Sequence, residues 1–421
     1  MTTHEIAEKE LLRFTTCGSV DDGKSTLIGR LLYDHYAIYE DQLEAIRKTS
    51  LRKGASYIDL SLLTDGLSAE RAQGITIDVA YRYFSTSKRR FIIADVPGHE
   101  QYTSNMVTGA STADLAVLLV DSIKGLLIQS KRHLFIAALL QIPHILIAIN
   151  KMDVVNYSQD IFEKIKNDFT EFSTKLNIRD LQFIPLSALD GKMVVHRGNE
   201  MGWYGGSTLI QYLENLHVAS DRNLIDFRFP VQLIVRPNSN FRGYAGRIES
   251  GAIRKGEEII VLPSGKRTSV KSIVTYEGEQ SYAYCSQSII LTLENDIDIS
   301  RGDMVVRCNN LPKVSNEFYA VIFWMSEEVM CENNNYIIKH TTKITKGFIS
   351  RLLYKIDVDT LHRQEASSLN FNDIGRAYIK TYDSLHFDAY ERNRNTGCFI
   401  IIDEITYDTV GAGIILDQNF Y

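Results

Sequence analysis

The apolar positions in the first half of the chain fall in short, nearly continuous runs. Leu12–Cys17, Arg90–Ala94, Leu115–Asp121, His144–Asn150 and Gln182–Pro185 read as buried strands. Between them apolar residues recur at helical spacing, over Gly23–Tyr33, Glu100–Ala110, Gln129–Leu140 and Ser158–Leu176. Continuous apolar strands separated by helices predict a mostly parallel sheet covered on both faces. Near Asn215–Phe229 the pattern changes. Val231–Val235, Tyr244–Glu249, Glu258–Leu262, Ser269–Val274 and Ser288–Leu293 are short alternating runs, separated by turn pairs such as Arg242-Gly243, Lys255-Gly256 and Ser264-Gly265. That punctuation predicts a β-barrel. A second barrel is expected from Tyr319–Trp324, Tyr336–His340, Thr342–Ile349, Arg376–Thr381 and Phe399–Ile405. The expected domains are 1–218, 228–310 and 311–421, with no internal repeat and no low-complexity segment.

The length of 421 residues supports this division, since domains of about 100–200 residues imply two to four of them. With 44% hydrophobic and 23% charged residues, the chain can bury its cores without metal or disulfide staples. The net charge is −6, and the longest basic block, Lys88-Arg89-Arg90, lies between two expected strands. It reads as a charged hairpin turn, and no nucleic-acid partner is expected. Five cysteines, Cys17, Cys285, Cys308, Cys331 and Cys398, form no CxxC pair, so neither zinc nor disulfides are indicated and a reducing cytosol is expected. Cys17 reads as a small packing residue, and His133, His144 and His386 as packing or surface residues. Residues 1–12 lack signal-peptide character, and the apolar stretch Phe135–Ile149 is broken by Gln141, Pro143 and His144, so no membrane association is expected.

The chemistry lies at strand ends. Gly18-Ser19-Val20-Asp21-Asp22-Gly23-Lys24-Ser25 fits G-x-x-x-x-G-K-[ST], after a strand and before a helix. Its glycines let backbone N–H groups and the helix N-terminus face a phosphate. Lys24 would bridge the β- and γ-phosphates, and Ser25 would give its hydroxyl to Mg²⁺. Asp95-Val96-Pro97-Gly98 ends a second strand as D-x-x-G: Asp95 would hold Mg²⁺ and Gly98 would offer its N–H to the γ-phosphate. Asn150-Lys151-Met152-Asp153 fits N-K-x-D. Asp153 can accept from guanine N1–H and its 2-amino group, donors that adenine lacks, which discriminates by about 10⁴–10⁵. Asn150 would hold the loop and guanine N7, the Lys151 stem would cover the base, and Ser187, Ala188 and Leu189 would complete the guanine side. Gly74-Ile75-Thr76-Ile77 fits a first switch loop, with Thr76 closing on Mg²⁺ and the γ-phosphate. His99 would act on the attacking water, as base or as positioner. These motifs define an expected α/β P-loop GTPase domain followed by two β-barrel domains, with GTP and Mg²⁺ at the site and Lys24, Thr76 and His99 in catalysis.

A GTPase domain followed by two barrels resembles the translation-factor superfamily through G-x-V-D-x-G-K-S, G-I-T-I, D-x-P-G-H and N-K-M-D. That resemblance implies, as one alternative, an elongation-factor-like GTPase that binds tRNA or the ribosome. Longer runs are similar to the GTPase subunit of bacterial ATP sulfurylase (sulfate adenylyltransferase). They include Val20–Leu32, with Thr26 among the nucleotide-binding residues, Asp65–Phe84 and Phe91–Tyr102. They continue in the barrels at Val235-Arg236-Pro237, Phe241–Gly246, Ile297–Asp303, Phe323–Glu328 and Thr409–Gly413. Ser19 stands where that family usually has Asn, and Val96 where it usually has Thr. No kinase domain follows residue 421, so the fused sulfurylase–kinase form is not expected. This resemblance implies a cytoplasmic regulatory subunit that couples GTP hydrolysis to formation of adenosine 5′-phosphosulfate and pyrophosphate from ATP and sulfate. Its implied partner is a smaller catalytic subunit resembling ATP pyrophosphatases.

Overall fold

The computed structural model describes residues 10–38, 40–52, 58–63, 76, 78–218, 223–238, 241–358 and 360–417. The chain forms two units, Met1–Val218 and Ala219–Tyr421.

The first unit is built on a six-stranded sheet. Its strands are β1 (Leu11–Cys17), β2 (Ala80–Ser85), β3 (Arg90–Asp95), β4 (Leu115–Asp121), β5 (His144–Asn150) and β6 (Asp180–Pro185), in the order β2-β3-β1-β4-β5-β6. All neighbours run parallel except β2, which pairs antiparallel with β3 at one edge. Every residue of β4 is buried, as a run without polar alternation requires. The helix α1 (Lys24–Asp34) buries Leu27, Ile28, Leu31 and Leu32. The helix Gln159–Ser173 starts at Ser158, whose Oγ accepts from the Ile161 N–H, and buries Phe162, Ile165, Phe169 and Phe172 on one stripe. Two helices escape the pattern reading. The helix α2 (Glu40–Arg52) is mostly exposed and polar overall, so few apolar residues mark it. Leu209–Asn215 spans only seven residues but begins with a capping box from Thr208 and Gln211.

The basic block lies in the expected hairpin turn, and one of its residues does more than carry surface charge. Lys88 is exposed in the β2–β3 hairpin, but Arg89 is buried. Its guanidinium donates to the carbonyls of Leu213 (3.0 Å) and Leu216 (2.6 Å) and pairs with Glu10. It therefore satisfies carbonyls left over at the end of the Leu209–Asn215 helix. His144 likewise has a partner, the Asp180 carboxylate at 2.7 Å across the β5–β6 pair.

The second unit contains two closed barrels. In the first, Arg228–Val235, Gly243–Arg247, Ser288–Leu293, Lys266–Thr275, Glu258–Leu262 and Met304–Arg307 pair in a ring. In the second the ring is Lys313–Trp324, Ile374–Phe387, Lys343–Ile356, Asn335–His340, Cys398–Asp403 and Thr409–Ile415. Closure leaves neither ring with a free edge. Each has its own core, the first around Phe227, Phe229 and Ile273, the second around Phe318, Trp324 and Ile379.

Between these barrels lies a polar junction. Arg228 is fully buried and forks onto Asp388, with both nitrogen–oxygen distances 2.8 Å. Asp388 also accepts from the Thr396 hydroxyl, and Arg228 donates to the carbonyl of Asn310. Asp388→Ala would strand a buried guanidinium, at a cost of about 3–5 kcal/mol. In hydrogen exchange, strand amides of both barrels should lose protection while those of β1, β4 and β5 keep theirs; unchanged barrel protection would show that the pair is not a stabilising tie.

Candidate functional site

The loop after β1 is shaped by its own backbone. Gly23 adopts φ 93°, and a Cβ there would fall on the side-chain nitrogen of Asn150. Only glycine suits that turn. Gly23 also caps α1 without a side-chain hydrogen bond, which leaves the first N–H groups of the helix to an anion. Lys24 is buried, and its Nζ donates to the carbonyls of Gly18 (2.8 Å) and Ser19 (3.1 Å). An ammonium has three donors, so this geometry fixes the lysine and keeps one N–H for a phosphate. Burial pulls Lys24 below its ordinary pKa, opposed by the charges of Asp95 and Asp22. Asp22 is buried too, and its Oδ2 accepts from the Ser19 N–H at 2.7 Å. Its Oδ1 and the Ser19 hydroxyl have no hydrogen-bond partner among the described residues. Val20 is half-buried and Asp21 exposed at the loop tip; Ser25 and Thr26 are half-buried in the first turn of α1.

Asp95, Val96, Pro97 and Gly98 are all buried. The Thr16 hydroxyl donates to Asp95 Oδ1 at 3.4 Å, so the carboxylate sits at the β1–β3 strand ends beside the lysine. Gly98 presses against the phosphate loop, where a Cβ would collide with the Gly18 carbonyl and Lys24 Nζ. His99 is half-buried, and its Nδ1 accepts from the Gln101 N–H at 3.3 Å. In the neutral ring that acceptor leaves the proton on Nε2, a donor. Thr76 is irregular and half-buried, with no hydrogen bond to the phosphate loop among the described residues. Gly74, Ile75, Ile77 and most of the segment Asp65–Phe84 before β2 lie outside the described residues.

The base-reading motif joins the rest through Asn150. Its Nδ2 donates to the Asp22 carbonyl (2.8 Å), and its Oδ1 accepts from the Ala188 N–H (2.9 Å). One buried carboxamide thus ties the phosphate loop to the loop after β6. Lys151 takes a left-handed conformation, φ 62°, and Met152 is fully buried, its N–H on the Leu186 carbonyl. Asp153 is half-buried, Ser187 is buried and Leu189 exposed.

Three further residues hold this arrangement, and the motif reading did not assign them roles. Arg30 on α1 donates from Nε to the Ala188 carbonyl (3.3 Å) and from Nη2 to that of Leu189 (2.6 Å). Asp121 pairs with Lys151 Nζ at 2.8 Å, and the Ser122 hydroxyl donates to the Lys151 carbonyl at 2.9 Å. The available signal was an aspartate closing an otherwise apolar strand. Cys17 packs beneath the loop, where burial pushes its thiol up to about 12, so it is not a thiolate at neutral pH.

A strand–loop–helix phosphate cradle, a D-x-x-G turn and an N-K-x-D loop on one parallel sheet define a GTPase. In agreement, residues 9–224 match the elongation factor Tu GTP binding domain, and residues 317–416 match the GTP-eEF1A C-terminal domain-like family. Relatives give the narrower assignment. The chain is 53% identical over 413 residues to sulfate adenylyltransferase subunit 1 of Alteromonas mediterranea, covering 98% of this chain and 88% of that protein. It is 54% identical over 412 residues to the same-named subunit of Pseudoalteromonas atlantica, covering 97% and 88%. It is also 55% identical over 416 residues to the bifunctional enzyme CysN/CysC of Rhodopirellula baltica, of which it spans 64% of the length. The chain belongs to the sulfate adenylyltransferase subunit 1 family, the GTPase subunit of that enzyme, and the translation-factor alternative is not favoured.

Asp22 supplies a test of the loop's electrostatics. Burial pushes its carboxyl up to about 6, against the Ser19 N–H and the Lys24 charge. A carboxyl raised on folding contributes stability below the ordinary carboxylate range, about 4, and that contribution is lost as pH rises through about 6. Asp22→Asn should therefore raise the urea midpoint at pH 7 relative to that at pH 4.5, compared with the wild type. An identical pH response in wild type and variant would contradict the assignment.

Proposed function

We propose that the chain binds and hydrolyses Mg·GTP at the loops described, and that this hydrolysis drives adenylyl transfer to sulfate on a partner subunit. The observation that carries the reading is the Asn150 bridge. It fixes the guanine-reading loop relative to the phosphate cradle, so that a single nucleotide spans both.

Residues 18–25 grip the phosphates with backbone N–H groups and the Lys24 ammonium. Asp153 reads guanine, the Lys151 stem covers the base, and Ala188, with Ser187 and Leu189, closes its other side. The donor set near the cradle suits a hard cation: hydroxyl and carboxylate oxygens, with Asp95 buried at a strand end. Ser25, Asp95 and Thr76 would hold Mg²⁺, which neutralises phosphate charge when bound. His99, with its Nδ1 on a backbone N–H, offers Nε2–H as a donor and positions the attacking water rather than taking its proton from that nitrogen. Gly98, packed against the cradle, turns phosphate loss into loop movement.

The phosphoric–sulfuric anhydride of adenosine 5′-phosphosulfate is less stable than the phosphoanhydride broken in ATP. Coupling requires that the GTPase loops and the adenylyl-transfer site bias one another. The partner is a smaller catalytic subunit resembling ATP pyrophosphatases, with the barrels as docking modules. The five cysteines form no disulfide among the described residues, which supports residence in a reducing cytosol.

Two measurements test this function. Asp153→Asn should move preference from GTP to XTP, because an amide donates where the 2-oxo group of xanthine accepts; unchanged preference would remove the guanine-reading role. The purified chain mixed with its partner should form adenosine 5′-phosphosulfate from ATP and sulfate in proportion to GTP hydrolysed. Equal yield with a non-hydrolysable GTP analogue would refute the energetic coupling.

A further inference from the structure

The turn after β4 is built around the base-reading lysine. Asp121 ends β4 directly opposite Asn150 in the parallel β4–β5 register. It is 2% exposed, and both its carboxylate oxygens are engaged: Oδ1 accepts from the Ile123 N–H at 2.8 Å, and Oδ2 accepts from Lys151 Nζ at 2.8 Å. The next residue grips the backbone. Ser122 donates its N–H to the Asn150 carbonyl (2.9 Å) and its hydroxyl to the Lys151 carbonyl (2.9 Å). The Gly125 N–H closes the turn on the Asp121 carbonyl at 2.9 Å.

Lys151 needs such a hold. Its φ of 62° is a conformation that side-chain-bearing residues avoid, and it persists only where the surroundings over-determine it. A lysine side chain has four rotatable bonds, so its stem covers a fixed surface only if the ammonium is anchored. Here a buried carboxylate anchors the ammonium, while an N–H and a hydroxyl anchor the backbone carbonyls on either side of the Lys151 α-carbon. The lysine retains 32% side-chain exposure, so the stem remains open to a ligand while its end is fixed.

We propose that Asp121 and Ser122 are positioning residues that pre-set Lys151 as a rigid lid over the nucleotide base, and so slow nucleotide release. The proposal rests on the guanine-nucleotide reading of this site. It assigns Asp121 no contact with the nucleotide; its effect passes through Lys151.

Fluorescent GDP release from the full chain tests the idea. Asp121→Asn keeps shape and removes the charge, and should speed release about tenfold with little change in association rate. In a Lys151→Met background, which keeps the stem and lacks the ammonium, the same substitution should change release less than twofold. Ser122→Ala, tested separately, should speed release severalfold in both backgrounds, because it acts on the Lys151 backbone. Thermal melting of each variant should stay within a few degrees of its parent. Equal acceleration by Asp121→Asn in both backgrounds, or none in either, overturns the lid. If Asp121→Asn does not fold, Ser122→Ala decides, and unchanged release there overturns the proposal. A wild-type chain that binds no GDP overturns instead the reading beneath it.

Discussion

The Asn150 carboxamide is the contact on which the site depends. Its two ends satisfy a carbonyl in the phosphate loop and an N–H in the loop after β6, groups that are buried and separated widely in sequence. Without it, each group would lie unpaired in the interior, at about 1–3 kcal/mol apiece. The bridge works because β1 and β6 deliver the two loops, and β5 the amide, to the same end of a parallel sheet. It also explains Gly23, since any side chain there would occupy the space the amide needs. The neighbouring turn extends the same logic to Lys151, held at its ammonium by Asp121 and at its backbone by Ser122.

The electrostatics of the cradle follow from burial. Lys24, Asp22 and Asp95 are all nearly inaccessible and within each other's field. Two carboxylates beside one ammonium leave little net positive charge in the loop side chains, so anion affinity must come mainly from backbone N–H groups and the uncapped start of α1. That division of labour suits a switch. The backbone donors are fixed by the turn, while the side-chain charges respond to cation and phosphate.

Much of this was legible in the chain because buried parallel strands carry an unbroken apolar signal. Leu115–Asp121 and His144–Asn150 were read to the residue, and loops follow strand ends. Elements whose stability comes from elsewhere were not. The helix Glu40–Arg52 is largely exposed and polar in composition, with few apolar residues to mark it. The helix Leu209–Asn215 is short and depends on its capping box and on Arg89, a residue that reads as a surface charge until its carbonyl partners are known. In the barrels, short strands such as Ala252–Arg254 and Tyr282–Tyr284 pair with each other yet carry too few residues to alternate visibly. Long strands such as Lys343–Ile356 and Ile374–Phe387 outrun their apolar stretches because bulges interrupt the register. Asp121 and Arg30 illustrate the general reason: a motif names the groups that touch a ligand, whereas the groups that hold them are brought close only by the fold.

One amide makes two loops into a single nucleotide site. Calorimetric titration of GDP into Asn150→Ala should show about a 100-fold or greater loss of affinity, from two buried groups left unpaired, in a chain whose sheet remains folded. Affinity within a few-fold of the wild type would show instead that the loops hold their places without the bridge.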